Sequence, residues 1–235
     1  MVNIQDLHKK FGKNHVLKGV DLSIVNGGIF AVLGPNGSGK TTLIKSILGM
    51  VIPNKGTIEV LGKNINKSSE YKYQIDYLPQ IANFPNNLKV KELIKMIKDL
   101  RGKTDLDQSL IALFKLEPFL DKKLGNLSGG TKQKVNIVLT FMFDSPIIIL
   151  DEPTTGLDPI SLIRLKDLIQ AEKIKGKTIL ITSHIMSFVE EVSDEIVFLL
   201  EGQIYFKGSI SNLKSKTNQP DFEHAIASIL QENYA

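Results

Sequence analysis

The chain of 235 residues contains no cysteine, which excludes structural disulfides, cysteine-bound zinc sites and cysteine nucleophiles. It is also poor in arginine and aromatic residues: only Arg101 and Arg164 occur among 29 basic residues, and aromatics make up 7%. Proteins that read nucleic acids usually show clustered arginines with interleaved aromatics. The lysine-rich composition, with a net charge of +4, instead indicates a solvated surface with weak attraction to anionic lipid head groups. We expect no nucleic-acid partner.

Long apolar runs are missing as well. The most apolar stretch, residues 135–150, is broken by Asn136, Asp144 and Pro146, so it is too interrupted to cross a bilayer. The first residues, MVNIQDLHKK, lack the apolar region of a secretion signal, and we therefore expect a cytoplasmic chain. A hydrophobic fraction of 42% and a charged fraction of 23% are typical of a single globular module.

Short β-like runs alternate with helical patterns along most of the chain. Runs such as IFAVL and PIIIL are apolar throughout, as expected for strands buried on both faces of a parallel sheet. This alternation predicts an α/β fold. The predicted helices cover residues 41–48, 90–100, 106–113, 131–143, 160–174 and 185–192.

The β-like runs stop between Gln80 and Asp144, where only helical patterns remain. We therefore predict a helical insert at about residues 81–145, within a domain of residues 1–208. After Gly208 the chain is polar and closes with a short predicted helix, FEHAIASIL. Residues 209–235 are accordingly predicted to form a C-terminal extension.

Residues 34–41 read GPNGSGKT, which fits the phosphate-binding pattern G-x-x-x-x-G-K-[ST]. The motif lies between an apolar run and a helical pattern, the context that it requires. Its glycines let backbone N–H groups converge on phosphate oxygens at the positive end of the next helix. A glycine-rich turn that only packs a strand on a helix would not need lysine and threonine in register. The predicted nucleotide-binding residues are Gly34, Pro35, Asn36, Gly37, Ser38, Gly39, Lys40, Thr41 and Thr42.

Lys40 is expected to bridge the β- and γ-phosphates, and the Thr41 hydroxyl to bind Mg²⁺. A second metal contact is predicted from Asp151, because it ends the strand-like run IIIL and can reach the metal through water. The next residue, Glu152, is then the candidate general base that polarises the attacking water. Taken alone, such an acidic pair is as often only a polar strand end.

Directly before a predicted helix stands LSGG, residues 127–130. With the phosphate motif and the acidic pair, this string resembles the nucleotide-binding domain of ATP-binding-cassette (ABC) proteins. The resemblance implies a P-loop NTPase (RecA-like) core with a small antiparallel β subdomain and an inserted helical subdomain. It also implies that Ser128, Gly129 and Gly130 contact the ATP of a second subunit, which we expect to be another copy of this chain in a homodimer. On local sequence alone, Ser128 equally suits an ordinary cap of a helix beginning near Thr131.

Other family elements follow in the expected order over residues 2–208. Phe11 matches the aromatic residue that stacks on adenine, although it also suits packing at a sheet edge. Gln80 matches the glutamine that senses Mg²⁺ and the γ-phosphate. Asp158, in GLD, matches the loop that couples the two ATP sites, and His184 matches the histidine that helps hold the attacking water. By resemblance, Glu152, His184 and Gln80 are therefore the catalytic set, with ATP and Mg²⁺ as cofactors.

Two positions depart from the family pattern. Lys134 stands where arginine is usual, which replaces a planar, bidentate contact by a point charge. Phe11 stands where tyrosine is commoner, a change that preserves stacking. Neither departure removes a group needed for hydrolysis.

Several classes of ABC protein lack membrane spans. DNA-repair members insert very long coiled coils within the cassette, whereas a short segment joins Gln80 to Leu127 here. Translation factors carry two cassettes in one chain, whereas this chain has one of each motif. We therefore predict a transporter ATPase that sits on the cytoplasmic face of the membrane and drives an integral membrane permease. The alternative is a soluble ATPase of an assembly complex, such as iron–sulfur cluster assembly.

The transporter subtype rests on longer segments of sequence. The compact form of residues 34–62 and the string DEPTTGLDP resemble export-type, or ABC-2, ATPases. Residues 77–102 and the FEHAIASIL end are similar to the ATPase that supports copper-site maturation of nitrous oxide reductase.

Overall fold

A computed structural model describes residues 2–102 and 107–234, in which the strands form two sheets. The smaller sheet is antiparallel, and tight turns join two of its three pairs of neighbouring strands. Its members are β1 (Val2–Phe11), β2 (Asn14–Ile24), β4 (Lys55–Val60) and β5 (Lys63–Asn64), in the order β2-β1-β4-β5.

The larger sheet has six strands in the order β10-β9-β3-β8-β7-β6. Neighbours from β9 to β6 are parallel, and β10 adds an antiparallel edge to β9. Because the inner strands are covered on both faces, β7 and β8 are buried throughout. The six strands are β3 (Gly28–Leu33), β6 (Ile75–Leu78), β7 (Ile147–Asp151), β8 (Thr178–Thr182), β9 (Glu195–Leu200) and β10 (Gln203–Gly208).

Helices connect the parallel strands and fill the segment between β6 and β7. No described helix is long and apolar enough to cross a bilayer. The helices are α1 (Lys40–Ile47), α2 (Val90–Arg101), α3 (Asp107–Leu113), α4 (Gly129–Phe141), α5 (Pro159–Ile174), α6 (Met186–Val192), α7 (Ile210–Thr217) and α8 (Phe222–Tyr234).

Two hydrophobic clusters lie on opposite faces of the larger sheet. Strand β3 contributes alternate side chains to the two clusters: Ile29 and Leu33 belong to one, and Phe30 and Val32 belong to the other. The first cluster contains buried residues of the helical segment and of the last two helices. The second contains α1 and the antiparallel sheet. The α/β prediction and its antiparallel subdomain are therefore confirmed.

Some predicted boundaries differ from the observed ones. Helix α4 starts at Gly129, so the predicted start near Thr131 is wrong; the Ser128 cap begins the helix despite two glycines of low helix propensity. The polar segment after Gly208 contains the unpredicted α7, and Leu106, in the predicted third helix, lies outside the described residues. The division into domains at residue 208 stays a prediction.

Candidate functional site

The phosphate loop (residues 34–41) leads from the end of β3 into α1. Its backbone requires glycine at two positions. A Cβ on Gly34, at φ 146°, would lie 2.0 Å from the carbonyl oxygen of Leu199, and one on Gly39, at φ 108°, would lie 2.8 Å from Leu17. The glycines thus let the loop pack tightly while its N–H groups remain at the helix N-terminus.

Lys40 is the first residue of α1, and its ammonium group reaches back over the loop. It donates hydrogen bonds to the carbonyl oxygens of Gly34 at 2.7 Å and of Pro35 at 3.1 Å. Partial burial lowers the pKa of Lys40, while the nearby carboxylates of Glu152 and Asp151 act in the opposite direction. The cation therefore faces both the phosphate loop and the acidic pair.

The acidic pair stands at the carboxyl end of β7. Asp151 accepts a hydrogen bond from the Thr182 hydroxyl at 2.5 Å. Burial and, to a smaller extent, the nearby Asp151 carboxylate raise the pKa of Tyr77 to about 12. Glu152 is buried and has a left-handed backbone at φ 50°, which is unusual for a residue other than glycine. Its Oε2 accepts a hydrogen bond from His184 Nδ1 at 2.8 Å. His184 itself remains mostly exposed.

One cavity of 340 Å³ brings most of the predicted site residues together. Phe11 lies at its edge and is 50% exposed, with Lys9 Nζ 4.8 Å from its ring centre. The other predicted residues in the lining are Asn36, Gly37, Gly39, Lys40, Thr41, Thr42, Gln80, Asp151 and Glu152.

The same cavity has a donor set suited to a magnesium ion. Thr41, Gln80 and Asp151 line it together and offer hydroxyl, amide and carboxylate oxygens. Mg²⁺ prefers oxygen ligands and keeps several waters, so it needs few protein groups. These residues fit the ion.

The residues of the LSGG string lie elsewhere. None of the described residues that line the cavity comes from 128–130. Ser128 Oγ caps α4 by accepting a hydrogen bond from the Thr131 N–H at 3.3 Å, and it lies 2.9 Å from the Thr131 hydroxyl. Gly129 has open space where a side chain would stand. This exposed helix start is free to approach a ligand held by another molecule.

The start of α4 packs against the loop that follows Glu152. A Cβ on Gly130 would lie 2.5 Å from the Gly156 carbonyl oxygen, so the two backbones touch. Lys134 Nζ forms an ion pair with Asp158 Oδ2 at 2.6 Å. Asp158 also caps α5 through the Ser161 N–H, and both contacts, chiefly that with Lys134, hold the pKa of its carboxyl far below the ordinary range. Lys134, which stands where the family usually has arginine, thus has a structural partner in Asp158.

A larger groove of 770 Å³ lies beside the nucleotide cavity, between α2, α4 and the end of β6. Thr41, Gln80 and Asp151 line both spaces. The groove side of α2 ends in Arg101, which pairs with the buried Asp76 at 2.9 Å. Exposed apolar side chains line the groove, namely Met50, Ile81 and Leu100.

Two contacts of α4 were not predicted from the sequence. Gln133 Nε2 donates to the Pro153 carbonyl oxygen at 3.0 Å, and Asn136 Nδ2 donates to that of Pro79 at 3.2 Å. Gln133 lies three residues after Gly130, in the string LSGGTKQ. No local pattern marks its partner.

Comparisons with known proteins agree with this geometry. The family described as ABC transporter matches residues 17–155. The lantibiotic transport ATP-binding protein SrtF of Streptococcus pyogenes is 35% identical over 213 residues, which cover 87% of this chain and 89% of that protein. The Nod factor export ATP-binding protein I of Burkholderia lata is 31% identical over 214 residues, covering 88% and 70%.

Solved structures share the whole architecture. An ATP-binding subunit of an ABC transporter superposes with a TM-score of 0.91 at 28% identity, covering 98% of this chain and 99% of that one. The ATP-binding cassette MJ0796, solved as a dimer with ADP and Pi, has a TM-score of 0.80 at 24% identity and covers 89% of this chain and 98% of that one. At this identity the match supports the fold alone. The chain belongs to the ABC transporter family, as an ATP-binding and ATP-hydrolysing subunit.

Proposed function

We propose that two copies of this chain bind two ATP molecules head to tail and use their hydrolysis to drive a separate membrane protein of export type. The observation that carries the proposal is the division of the site. The phosphate loop, Gln80 and the acidic pair share one cavity, whereas Ser128 and Gly129 are exposed outside it. A second copy would bring that helix start to the γ-phosphate.

ATP binding is assigned to the phosphate loop and to Phe11. The loop N–H groups and the Lys40 ammonium would hold the β- and γ-phosphates, since Lys40 already lies over the loop. Phe11 would stack on adenine with its free face, because Lys9 covers the other. Mg²⁺ would be held by Thr41, Gln80 and Asp151, and it supplies charge neutralisation of the phosphates when bound.

Hydrolysis is assigned to Glu152 as general base. Its carboxylate would orient the attacking water and accept a proton from it, while His184 fixes the position of Oε2 through the 2.8 Å hydrogen bond. Gln80 would sense the γ-phosphate from the edge of the same cavity. The Ser128 hydroxyl and the Gly129 and Gly130 N–H groups of the second copy would close over that phosphate.

Coupling to transport is assigned to two regions. Asp158 would relay between the two ATP sites, because its loop touches the start of α4. The 770 Å³ groove would receive a short helix of the membrane partner at the cytoplasmic face. The exposed apolar side chains that line the groove support this occupant. The groove also shares three lining residues with the nucleotide cavity, so a movement of the docked helix would affect the bound nucleotide, and the reverse.

The export assignment is supported by two relatives, whose names are those of proteins of lantibiotic transport and Nod factor export. Copper-site maturation of nitrous oxide reductase remains a prediction from the sequence. A soluble assembly ATPase remains the competing function, because its nucleotide chemistry would be the same.

The decisive test is Glu152→Gln. We expect ATP binding to persist, hydrolysis to fall at least a hundredfold, and a dimer to accumulate with ATP and Mg²⁺, because binding remains while the base is lost. Turnover is measured by phosphate release and dimer formation by light scattering. Glu191→Gln, on the exposed surface of α6, serves as the matched control. Normal turnover by Glu152→Gln would remove the base role.

The same trapped form separates transport from assembly. Tagged Glu152→Gln with ATP and Mg²⁺ is used to capture partners from detergent-solubilised native membranes, followed by mass spectrometry. Recovery of a multi-span membrane protein supports the transporter. Recovery of soluble partners alone would move the ATPase to an assembly role.

A further inference from the structure

One face of α4 holds two of the loops assigned to hydrolysis. Gln133 donates to the carbonyl oxygen of Pro153, and Asn136 donates to that of Pro79. Pro153 directly follows Glu152, and Pro79 directly precedes Gln80. Since residues three apart lie on one helix face, a single helix grips the backbone beside the base and beside the γ-phosphate sensor.

Both amides are buried: Gln133 is 8% exposed and Asn136 is 3% exposed. A buried amide that loses its acceptor has no water to replace it, so each hydrogen bond strongly fixes the distance between helix and loop. The Pro153 contact matters further because Glu152 has its backbone at φ 50°. A left-handed conformation in a residue with a side chain persists only where the surroundings hold it.

The start of α4 carries the residues assigned to the second subunit's ATP. Ser128 caps the helix, and Gly129 and Gly130 are its first two residues. In the same first turns of α4, the Gly130 backbone touches Gly156, and Lys134, next to Gln133, pairs with Asp158. A helix moves as a stiff element, so a displacement of its start by ATP reaches the two amides.

We propose that Gln133 and Asn136 are positioning residues that link ATP bound against the start of α4 to Glu152 and Gln80 in the same chain. The proposal rests on the proposed function, in which Ser128 serves the second subunit's ATP. Each subunit then senses its partner's ATP through α4 and sets its own water-activating groups accordingly. Neither amide touches the nucleotide cavity, so both act through the loops.

The test uses Gln133→Met and Asn136→Leu, which keep side-chain bulk and remove the amide donor. We expect kcat for ATP to fall about tenfold for each, as for the loss of one well-formed positioning hydrogen bond. The KM for ATP should stay within about twofold, because the phosphate loop is untouched. In the Glu152→Gln background, both variants should still form the ATP-dependent dimer.

Gln170→Met is the matched control. Gln170 Nε2 donates to the Val192 carbonyl oxygen at 3.3 Å, so the variant removes the same kind of hydrogen bond between α5 and the end of α6. Its kcat should equal that of the wild type. Thermal unfolding of all variants checks that the comparison is made on folded protein.

A second readout asks whether Gln133 acts through Glu152. The double variant Glu152→Gln, Gln133→Met should retain the residual turnover of Glu152→Gln alone, because the group that Gln133 positions is already gone. A further tenfold fall would overturn the proposal. So would a kcat for Gln133→Met and Asn136→Leu within twofold of the Gln170→Met value, or a loss of the ATP-dependent dimer equal to the loss of turnover.

The outcomes also separate this proposal from the proposed function. Normal turnover by Gln133→Met beside an inactive Glu152→Gln would overturn only the link through α4. Normal turnover by Glu152→Gln itself would remove the base role and the link with it.

Discussion

At the scale of single residues, Phe11 offers the most direct test of nucleotide recognition. It is half exposed at the edge of the cavity, with one ring face under Lys9. We expect Phe11→Ala to weaken ATP binding about tenfold, because stacking of a base on an aromatic ring contributes about 1–3 kcal/mol. Titration with a fluorescent ATP analogue measures the change.

Two controls make that result specific to stacking. Phe11→Tyr should bind ATP as the wild type does, since the ring is kept. Tyr73→Ala removes another exposed aromatic ring from a different part of the surface and should have no effect. Equal affinity for Phe11→Ala and wild type would rule out the adenine assignment.

The candidate site could be predicted residue by residue wherever its chemistry is local in sequence. Lys40 and Thr41 follow the glycines of one loop, and Asp151 and Glu152 follow one strand. The α4 contacts could not be predicted, because their acceptors are backbone carbonyl oxygens 20 and 57 residues away. Such partners depend on how the helix packs and leave no trace in a local pattern.

At the scale of elements, buried strands and amphipathic helices were the predictable part. Strands β7 and β8 are buried throughout because both faces are covered, and their content of isoleucine and leucine is visible in the sequence. Helix α7 was missed because Leu213 is its one buried residue, which leaves no apolar stripe. Strand β10 was missed because it is an antiparallel edge strand with one buried side chain, Phe206.

The junction of α4 and α5 predicts a measurable loss of stability. Asp158 caps α5 and pairs with Lys134, so Asp158→Ala should lower the free energy of unfolding by about 1 kcal/mol at neutral pH, as for the loss of an N-cap. Asp158→Asn keeps a capping oxygen and should lose less. Urea unfolding measures both, and no loss in either variant would contradict the assignment.

The pH dependence of that loss has a definite sign. The folded state lowers the pKa of Asp158, chiefly through Lys134, so its stabilisation is complete above the unfolded value of 3.8. It declines as the pH falls below that value, because protonation removes the ion pair. The difference between wild type and Asp158→Ala should therefore shrink in acid, and an unchanged difference would exclude the ion pair as its source.

At the scale of the whole molecule, the exposed start of α4 predicts dimerisation through ATP. Ser128→Arg places a long cation where the second subunit's γ-phosphate would lie, with no room for closure. Combined with Glu152→Gln, it should bind ATP as a monomer and form no dimer by light scattering. Lys132→Arg, one turn further along α4, is the control. Unchanged dimerisation would overturn the shared site.

The groove beside the nucleotide cavity predicts how the cassette engages its membrane partner. Leu100 is 72% exposed on α2 and lines that groove. Leu100→Glu would place a charge against the apolar face of the docked helix, and burying an unpaired carboxylate there is strongly unfavourable. Capture of the multi-span partner by the trapped cassette should therefore fall at least tenfold, while ATP hydrolysis by the isolated cassette stays unchanged.

Ile174→Glu is the matched control, because Ile174 is 85% exposed at the end of α5 and does not line the groove. It introduces the same charge at another apolar surface position and should leave capture intact. Equal capture by both variants would place the membrane contact elsewhere on the cassette. Loss of capture by Leu100→Glu alone would tie transport to the surface that shares Thr41, Gln80 and Asp151 with bound ATP, so that the nucleotide state is read directly by the partner.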